Sequence, residues 1–247
     1  MSTILVAGGT GQVGTPTVGA LRAAGHDVRV LSRKTGPGLT TGDLITGTGI
    51  AEAVDGVDAV VHVATTNGKR DIVMAQNLFD ACLSAGVAHV VIISIVGSDA
   101  IPLGFYGQRV EVERRLVASG LPYTIQRATQ FHSLVNALFS GQRFLPMLFA
   151  PALSFQPIDV RDVGQKLAEL AGASPSGRAP DIGGPEKLTA SELGRVWKDA
   201  TGSRRRIVRM RLPGKTFAAF AAGHNLVDGP SFGRITFASY LAGKYHA

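Results

Sequence analysis

The chain has 247 residues, with 25 Lys and Arg against 18 Asp and Glu, a formal charge of +7. Hydrophobic residues make up 45% and charged residues 17%, against a usual charged share of about 25%, which excludes a disordered chain. A single cysteine, Cys82, excludes an internal disulfide and a cysteine-rich zinc site.

Thr3–Ala7 reads as a buried strand that ends in Gly8-Gly9-Thr10-Gly11. A helix is predicted over residues 13–24, with Pro16 in its first turn, where a missing N–H does no harm, and Gly25 as its stop. Residues 28–32 form a second strand and 59–64 another, followed by a helix from about 71 to 85 that stops at Gly86. Residues 89–94 are a further apolar run. A helix from about 106 to 119 ends at Gly120, and residues 123–127 are the next strand. Past Phe131 the pattern weakens. Residues 181–184 and 207–212 read as late strands around a helix from about 191 to 200.

Strands separated by helical segments imply parallel βαβ units. The expected class is α/β: a doubly wound parallel sheet, with helices on both faces and a small C-terminal substrate lobe. No linker is visible, so one domain is expected over 1–247. Its core is about 1–130, and its lobe comes mainly from about 131–157 and 183–247. Apolar runs such as Val90-Val91-Ile92-Ile93 have strand length, far below the roughly 20 residues of a spanning helix. The N-terminal residues carry no basic region before a short apolar run. A cytoplasmic protein without membrane partners is therefore expected.

The positive charge is local. Residues 1–130 hold ten basic and ten acidic side chains, and residues 131–247 hold fifteen and eight. Arg204, Arg205, Arg206, Arg209, Arg211 and Lys215 follow one another without an acid. Arg209 and Arg211 alternate with Val208, Met210 and Leu212, as on one solvated strand face. An exposed edge kept soluble by charge is the simplest reading, ahead of a docking surface for an acidic partner. Nucleic acid is not expected as a partner.

The strongest chemical signal is Gly8-Gly9-Thr10-Gly11-Gln12-Val13-Gly14. Gly9, Gly11 and Gly14 fit G-x-G-x-x-G, and Gly8, Gly11 and Gly14 fit G-x-x-G-x-x-G. Glycines permit the tight turn and let backbone N–H groups approach a pyrophosphate, while the helix start favours the anion. Gly8, Thr10, Gly11, Gln12, Val13 and Gly14 are therefore cofactor-binding candidates. A sugar-binding acid is expected after the second strand of such a unit, but here stands Ser32-Arg33-Lys34. A carboxylate there repels a 2′-phosphate, whereas an arginine grips it with a planar fork. Arg33 and Lys34 thus point to NADP(H). Asp43-Leu44 follows in the next loop as a candidate adenine contact. Ala64 and Thr65 open the stretch Thr65-Thr66-Asn67-Gly68-Lys69-Arg70 after the fourth strand, on the cofactor side.

The order of Gly8–Gly14, Ser32-Arg33, Gly42-Asp43-Leu44, Ser94-Ile95-Val96-Gly97 and Gly120-Leu121-Pro122-Tyr123-Thr124-Ile125-Gln126-Arg127 resembles the atypical short-chain dehydrogenase/reductases. Within them it is similar to the NmrA-like, NAD(P)H-binding branch, as are Arg127-Ala128-Thr129-Gln130-Phe131-His132 and Ile182-Gly183-Gly184-Pro185-Glu186. The resemblance runs over essentially the whole chain. It implies a Rossmann-like sheet and an NADP-type cofactor. The branch includes reductases and redox-sensing regulators, so catalysis stays open.

That superfamily pairs a proton-donating Tyr with a Lys one helical turn on. Here the window is Phe105-Tyr106-Gly107-Gln108-Arg109-Val110-Glu111-Val112-Glu113. Counting back from Glu113 puts the lysine site at Arg109 and the tyrosine site at Phe105; reading from Tyr106 puts Val110 at the lysine site. Both registers break the motif. Arg109 stays charged and is a candidate for binding ribose or a substrate anion. The catalytic candidates are Tyr106 as a stand-in acid, Ser94 at the position resembling the family serine, and His132 just past the sixth strand. His62, on an apolar strand, reads as a core histidine. No spacing suggests a metal. Residues 143–151, apolar and bounded by prolines, read as a pocket lining, lid or partner surface, or as plain core.

Two functions follow. One is an NADP(H)-dependent reductase passing hydride to a small apolar carbonyl, enone or quinone without the usual Tyr–Lys pair. The alternative is a non-catalytic NADP(H)-sensing regulator of NmrA type, which would bind a protein partner.

Overall fold

The computed structural model of the protein describes residues 1–246. It comprises two compact units. The first is Met1–Ser94, Gly104–Arg127 and Val163–Pro180; the second is Ile95–Leu103, Ala128–Asp162 and Asp181–Ala247.

In chain order the first part runs β1 (Thr3–Ala7), α1 (Gly14–Ala23), β2 (Asp27–Ser32), β3 (Leu39–Thr41), α2 (Ile50–Val54), β4 (Ala59–His62), α3 (Arg70–Ser84), β5 (His89–Ile95), α4 (Gly104–Ala118) and β6 (Tyr123–Ala128). Then come α5 (His132–Ser140), β7 (Met147–Pro151), β8 (Ser154–Phe155), α6 (Val160–Ala171) and β9 (Gly177–Arg178). The chain continues through β10 (Leu188–Thr189), α7 (Ala190–Thr201), β11 (Arg206–Met210), α8 (Lys215–Ala221) and α9 (Phe237–Tyr245).

Seven strands form one sheet in the order β3-β2-β1-β4-β5-β6-β9. The pairs β1–β2, β1–β4, β2–β3, β4–β5 and β6–β9 are all parallel. The chain leaves β1 toward β2 and β3, then returns to place β4 on the other side of β1. That reversal makes the crevice past the C-terminal ends of β1 and β4 the expected ligand position. β1 and β4 are apolar but for Thr3 and His62, because a parallel sheet covered by helices has no wet face. Their Leu5, Ala7 and Val60 pack with Leu78, Phe79, Val90, Ile92 and Leu116 in one core.

The second unit has its own core. Phe139, Leu148, Leu193, Trp197, Phe237 and Leu241 pack together there. β7 and β11 form a two-stranded parallel sheet, and β8 and β10 an antiparallel one. Trp197 donates its indole N–H to Asn136 Oδ1 at 3.0 Å, so its polar edge is satisfied inside the core.

Several elements differ from expectation. β4 ends at His62, not at residue 64, although Val63 N still donates to Ala7 O at 2.9 Å. Residues 181–184 do not form a strand: Ile182 makes a single parallel bridge with Ala128. The Gly183 carbonyl there accepts from the N–H groups of Phe232 and Gly233, so loop contacts replace a ladder. A Cβ on Gly184 would lie 1.7 Å from Pro157 O, which explains why glycine ends that segment. Within 143–151, residues 147–151 become β7, whose Leu148 and Ala150 enter the core.

Three buried histidines give the fold an acid sensitivity. Burial and, to a smaller extent, the Arg109 charge lower the pKa of His62 to about 4, with Asp71 partly opposing both. Burial also lowers His89 and His132, partly offset by their hydrogen bonds. In the unfolded chain each takes a proton near its ordinary value of 6.5, so the unfolded state binds more protons below that value. Stability is thus full above about pH 6.5 and falls as pH drops toward 4; for His62 alone the shift corresponds to roughly 3 kcal/mol. The urea midpoint should fall markedly between about pH 7.5 and about pH 4.5, and H62L should flatten the slope. An H62L slope equal to that of the parent chain would assign the acid sensitivity elsewhere.

Candidate functional site

The glycine loop follows β1. Gly8 has φ +90, and a Cβ there would lie 2.6 Å from Ala64 N, where the ends of β1 and β4 meet. A Cβ on Gly14 would lie 2.0 Å from Gly8 O and 2.6 Å from Gly9 Cα. The start of α1 is therefore folded directly onto the loop. Gly11 N donates to Gly8 O at 2.9 Å and closes the turn. Thr10, Gly11 and Gln12 are exposed at its tip. Val13 buries its side chain, so only its backbone is available to a ligand. The first turn of α1 has no side-chain cap and no acid. Its N-terminal dipole is thus available to an anion.

β2 ends at Ser32, whose Oγ accepts from Lys34 N at 3.0 Å and shapes the turn. Arg33 and Lys34 are exposed beside it. No carboxylate stands in that turn. Asp43 is half-buried, and its Oδ1 accepts from Ile45 N at 2.7 Å. Leu44 enters the core, and its carbonyl accepts from Asn77 Nδ2 at 2.9 Å. Leu44 therefore serves packing, and Asp43 uses one oxygen to hold its own loop.

Past β4 the structure reveals a residue that sequence reasoning missed. Asp71, 1% exposed, accepts four kinds of hydrogen bond. Thr65 Oγ1 donates at 2.6 Å, Thr66 N at 2.6 Å, Thr66 Oγ1 at 2.7 Å and an Arg109 terminal nitrogen at 2.7 Å. Arg109 also donates to Thr65 Oγ1, and its guanidinium lies over the Phe105 ring, 4.9 Å from the centroid. Burial raises the Asp71 pKa, but the bonds from Thr65 and Thr66 and the Arg109 charge outweigh it and hold the carboxyl below its ordinary range. Desolvation pulls Arg109 down and Asp71 pulls it up. The pair fixes the 65–67 loop, where Asn67 takes φ 55. Lys69-Arg70-Asp71, a lone acid at the start of a helix, is the one sequence signal that marks it.

Of the catalytic candidates, Ser94 and Tyr106 belong to the first unit and His132 to the second. Ser94 is 4% exposed, and its hydroxyl has no hydrogen-bond partner among the described residues. Tyr106 is 6% exposed and edge-on to Phe105, with ring centroids 6.5 Å apart. His132 is 1% exposed and packs against Phe237 and Tyr240. Its Nε2 lies 2.9 Å from Ile235 O, a geometry in which that nitrogen carries the proton and donates it to the carbonyl. Burial lowers its pKa. A neutral ring so committed serves the core rather than supplying protons. His62 is likewise a core residue, edge-on to Phe79.

Among the described residues no cluster of His, Cys, Asp or Glu is arranged to hold a metal ion. No helix of the described residues is long and apolar enough to cross a membrane. The loop between β1 and α1 does fit a dinucleotide: a Cβ would fill the cradle at Gly8 and Gly14, and α1 starts uncapped.

The chain is similar to known proteins in sequence and in fold. A family model described as the NmrA-like family matches residues 1–227. The chain is 33% identical over 205 residues to (4-alkanoyl-5-oxo-2,5-dihydrofuran-3-yl)methyl phosphate reductase of Streptomyces griseus, covering 76% of this chain and 70% of that one. In fold it is similar to an NADPH-dependent quinone oxidoreductase from Escherichia coli, with TM-score 0.82 and 16% identity over 98% of this chain and 99% of that one. The same enzyme solved with NADPH gives TM-score 0.77. Triphenylmethane reductase from Citrobacter sp. gives TM-score 0.82 at 14% identity, covering 99% of this chain and all of that one.

Proposed function

This chain belongs to the NmrA-like family, and on that footing we propose that it is an NADPH-dependent reductase of a small apolar carbonyl, enone or quinone. The observation that carries the reading is the β2 end. Arg33 and Lys34 stand exposed where a dinucleotide fold otherwise presents a ribose-binding acid. The Streptomyces griseus relative carries a reductase name, and the fold is similar to that of an NADPH-dependent quinone oxidoreductase.

The chain's own residues have the following parts. Backbone N–H groups of Thr10, Gln12 and Val13 and the start of α1 hold the pyrophosphate. Arg33 pairs with the 2′-phosphate in a forked geometry, and Lys34 adds a point charge. Bound NADPH supplies the hydride. The Asp71–Arg109 pair holds the 65–67 wall in place. Arg109 is proposed as a positioning residue rather than a proton donor, since its guanidinium stays charged. Ser94 offers an unpartnered hydroxyl to a substrate oxygen. Tyr106 is the proposed proton source, with water as the substitute wherever the reduced oxygen is exposed. Its substrate is a small molecule.

Nicotinamide absorbance, followed against a panel of quinones, enones and aldehydes, tests the reading. Turnover of at least one acceptor is expected. Tight NADPH binding without turnover on any acceptor favours the NmrA-type sensor with a protein partner. R33D should weaken NADPH by about tenfold or more and leave NADH nearly unchanged, since it exchanges an attraction for a repulsion at one phosphate. Equal losses for both cofactors overturn the 2′-phosphate assignment. Y106F should lower turnover by about tenfold or more at unchanged NADPH affinity; full turnover removes Tyr106 as the acid.

A further inference from the structure

The basic run and the apolar segment at the end of β7 come together in the second unit. β11 pairs with β7 in parallel, aligning Arg209 with Ala150 and Met210 with Pro151. Past the ladder, Ala152 N donates to Met210 O at 2.7 Å and holds the two strand ends together. Two cavities of about 670 and 480 Å³ open at this end. They share Pro151, Ala152, Leu153, Arg209 and Ala221. Both volumes lie in the range of small-molecule sites, about 300–1,000 Å³.

The lining combines two chemistries. Leu153, Leu212, Phe217, Phe220 and Leu226 provide apolar walls. Arg195, Arg209 and Arg211 provide cationic heads, and all three are exposed. Arg209 and Arg211 have no carboxylate partner among the described residues. The one acid on either lining is Glu192. Its carboxylate is engaged in the capping box of α7, accepting from Thr189 N at 2.8 Å and Thr189 Oγ1 at 2.7 Å. It therefore leaves the charge of Arg209 and Arg211 uncompensated. α8 borders both cavities, and none of its residues is buried. An apolar helix that buries nothing gains contact area only when something enters beside it.

We propose that this pair of cavities binds a small amphipathic anion, a carboxylate or phosphate monoester carrying a short apolar chain. Arg209 and Arg211 take the head, as forked donors do for planar oxyanions. Leu153, Phe217 and Phe220 take the chain. The assignment needs neither bound NADPH nor turnover and stands apart from the redox reading.

Calorimetric titration of the full chain tests it, with octanoate, octyl phosphate, octanol and inorganic phosphate as probes below their aggregation concentrations. The two amphiphilic anions should bind saturably. Octanol and inorganic phosphate, each lacking one half of the chemistry, should bind at least about tenfold more weakly. The R209Q/R211Q variant should lose about tenfold or more for both anions while NADPH affinity and melting temperature stay unchanged. A221W, which fills the shared wall, should exclude both anions at unchanged NADPH affinity. Absence of saturable binding by either amphiphile overturns the proposal. So does inorganic phosphate or octanol binding as tightly as its amphiphilic counterpart, or undiminished binding by R209Q/R211Q. Loss of NADPH affinity in that variant would instead assign the arginines to the cofactor and overturn it as well.

Discussion

Replacing Asp71 by Asn is expected to destabilise the fold by about 3 kcal/mol or more, because it leaves a buried guanidinium without its counter-charge. Arg109 is 7% exposed and Asp71 1%, so water cannot take over the lost interaction. Asn retains the shape but brings an NH₂ group against donors. Thr66 N, Thr66 Oγ1 and Thr65 Oγ1 already point their protons at Asp71. One of them must turn away, and the 65–67 loop loosens with it. The urea midpoint of D71N reads the first effect, and weakened NADPH binding reads the second. The double variant D71N/R109M removes both charges and should recover a large part of the lost stability, since an apolar replacement of a whole pair is often tolerated. A D71N cost below about 1 kcal/mol would reduce the pair to a surface-type bridge. The acid limb has a defined sign. Because the folded Asp71 pKa is depressed, its contribution is complete above the ordinary carboxylate value and disappears only as pH falls through the lowered one.

The second large effect is steric. G14A puts a methyl group 2.0 Å from Gly8 O and 2.6 Å from Gly9 Cα. Both neighbours are backbone, so no side chain can swing away. The loop must open, and the N–H groups proposed to hold the pyrophosphate move with it. NADPH affinity should fall by about a hundredfold or more, near 2.7 kcal/mol at 1.36 per tenfold step. G19A is the matched control. Gly19 lies in α1, and a Cβ there meets nothing within 4 Å. That substitution should stabilise the helix by about 0.5–1 kcal/mol with cofactor affinity unchanged. If G14A and G19A bind NADPH equally, the glycine loop is not the cofactor cradle.

What the sequence disclosed and what it withheld divide along physical lines. The buried strands β1, β4 and β5 were legible because a covered parallel sheet writes near-continuous apolar runs. The glycine loop was legible because its stereochemistry admits no other residue at Gly8 or Gly14. The short strands β3 and β9, at three and two residues, were not, since so little burial leaves no periodic signature. Residues 181–184 looked like a strand because Ile182 is apolar between small residues. Only the tertiary contact with Pro157 reveals that glycine serves close packing there. Asp71 was invisible for a different reason. Its role is set by Thr65 and Thr66 of the loop before α3 and by Arg109 of α4, which lies 38 residues further along the chain. His132 shows the converse case: a residue type that suggests proton transfer, tied down by a carbonyl 103 residues away.

The interleaving of the two units sets the order in which a nascent chain can fold. The first unit is collected from three stretches, and Ala128–Asp162 of the second unit emerges between the last two. β6 gains its outer neighbour β9 only when residues 177–178 have left the ribosome. β7, in turn, awaits a partner 59 residues later in register, from Met147 to Arg206. Parallel pairing across such separations must close long loops before any ladder bond is gained. During synthesis β6 and β7 are therefore open edges, and the interval between their emergence and that of β9 and β11 is when this chain is most exposed to misassociation.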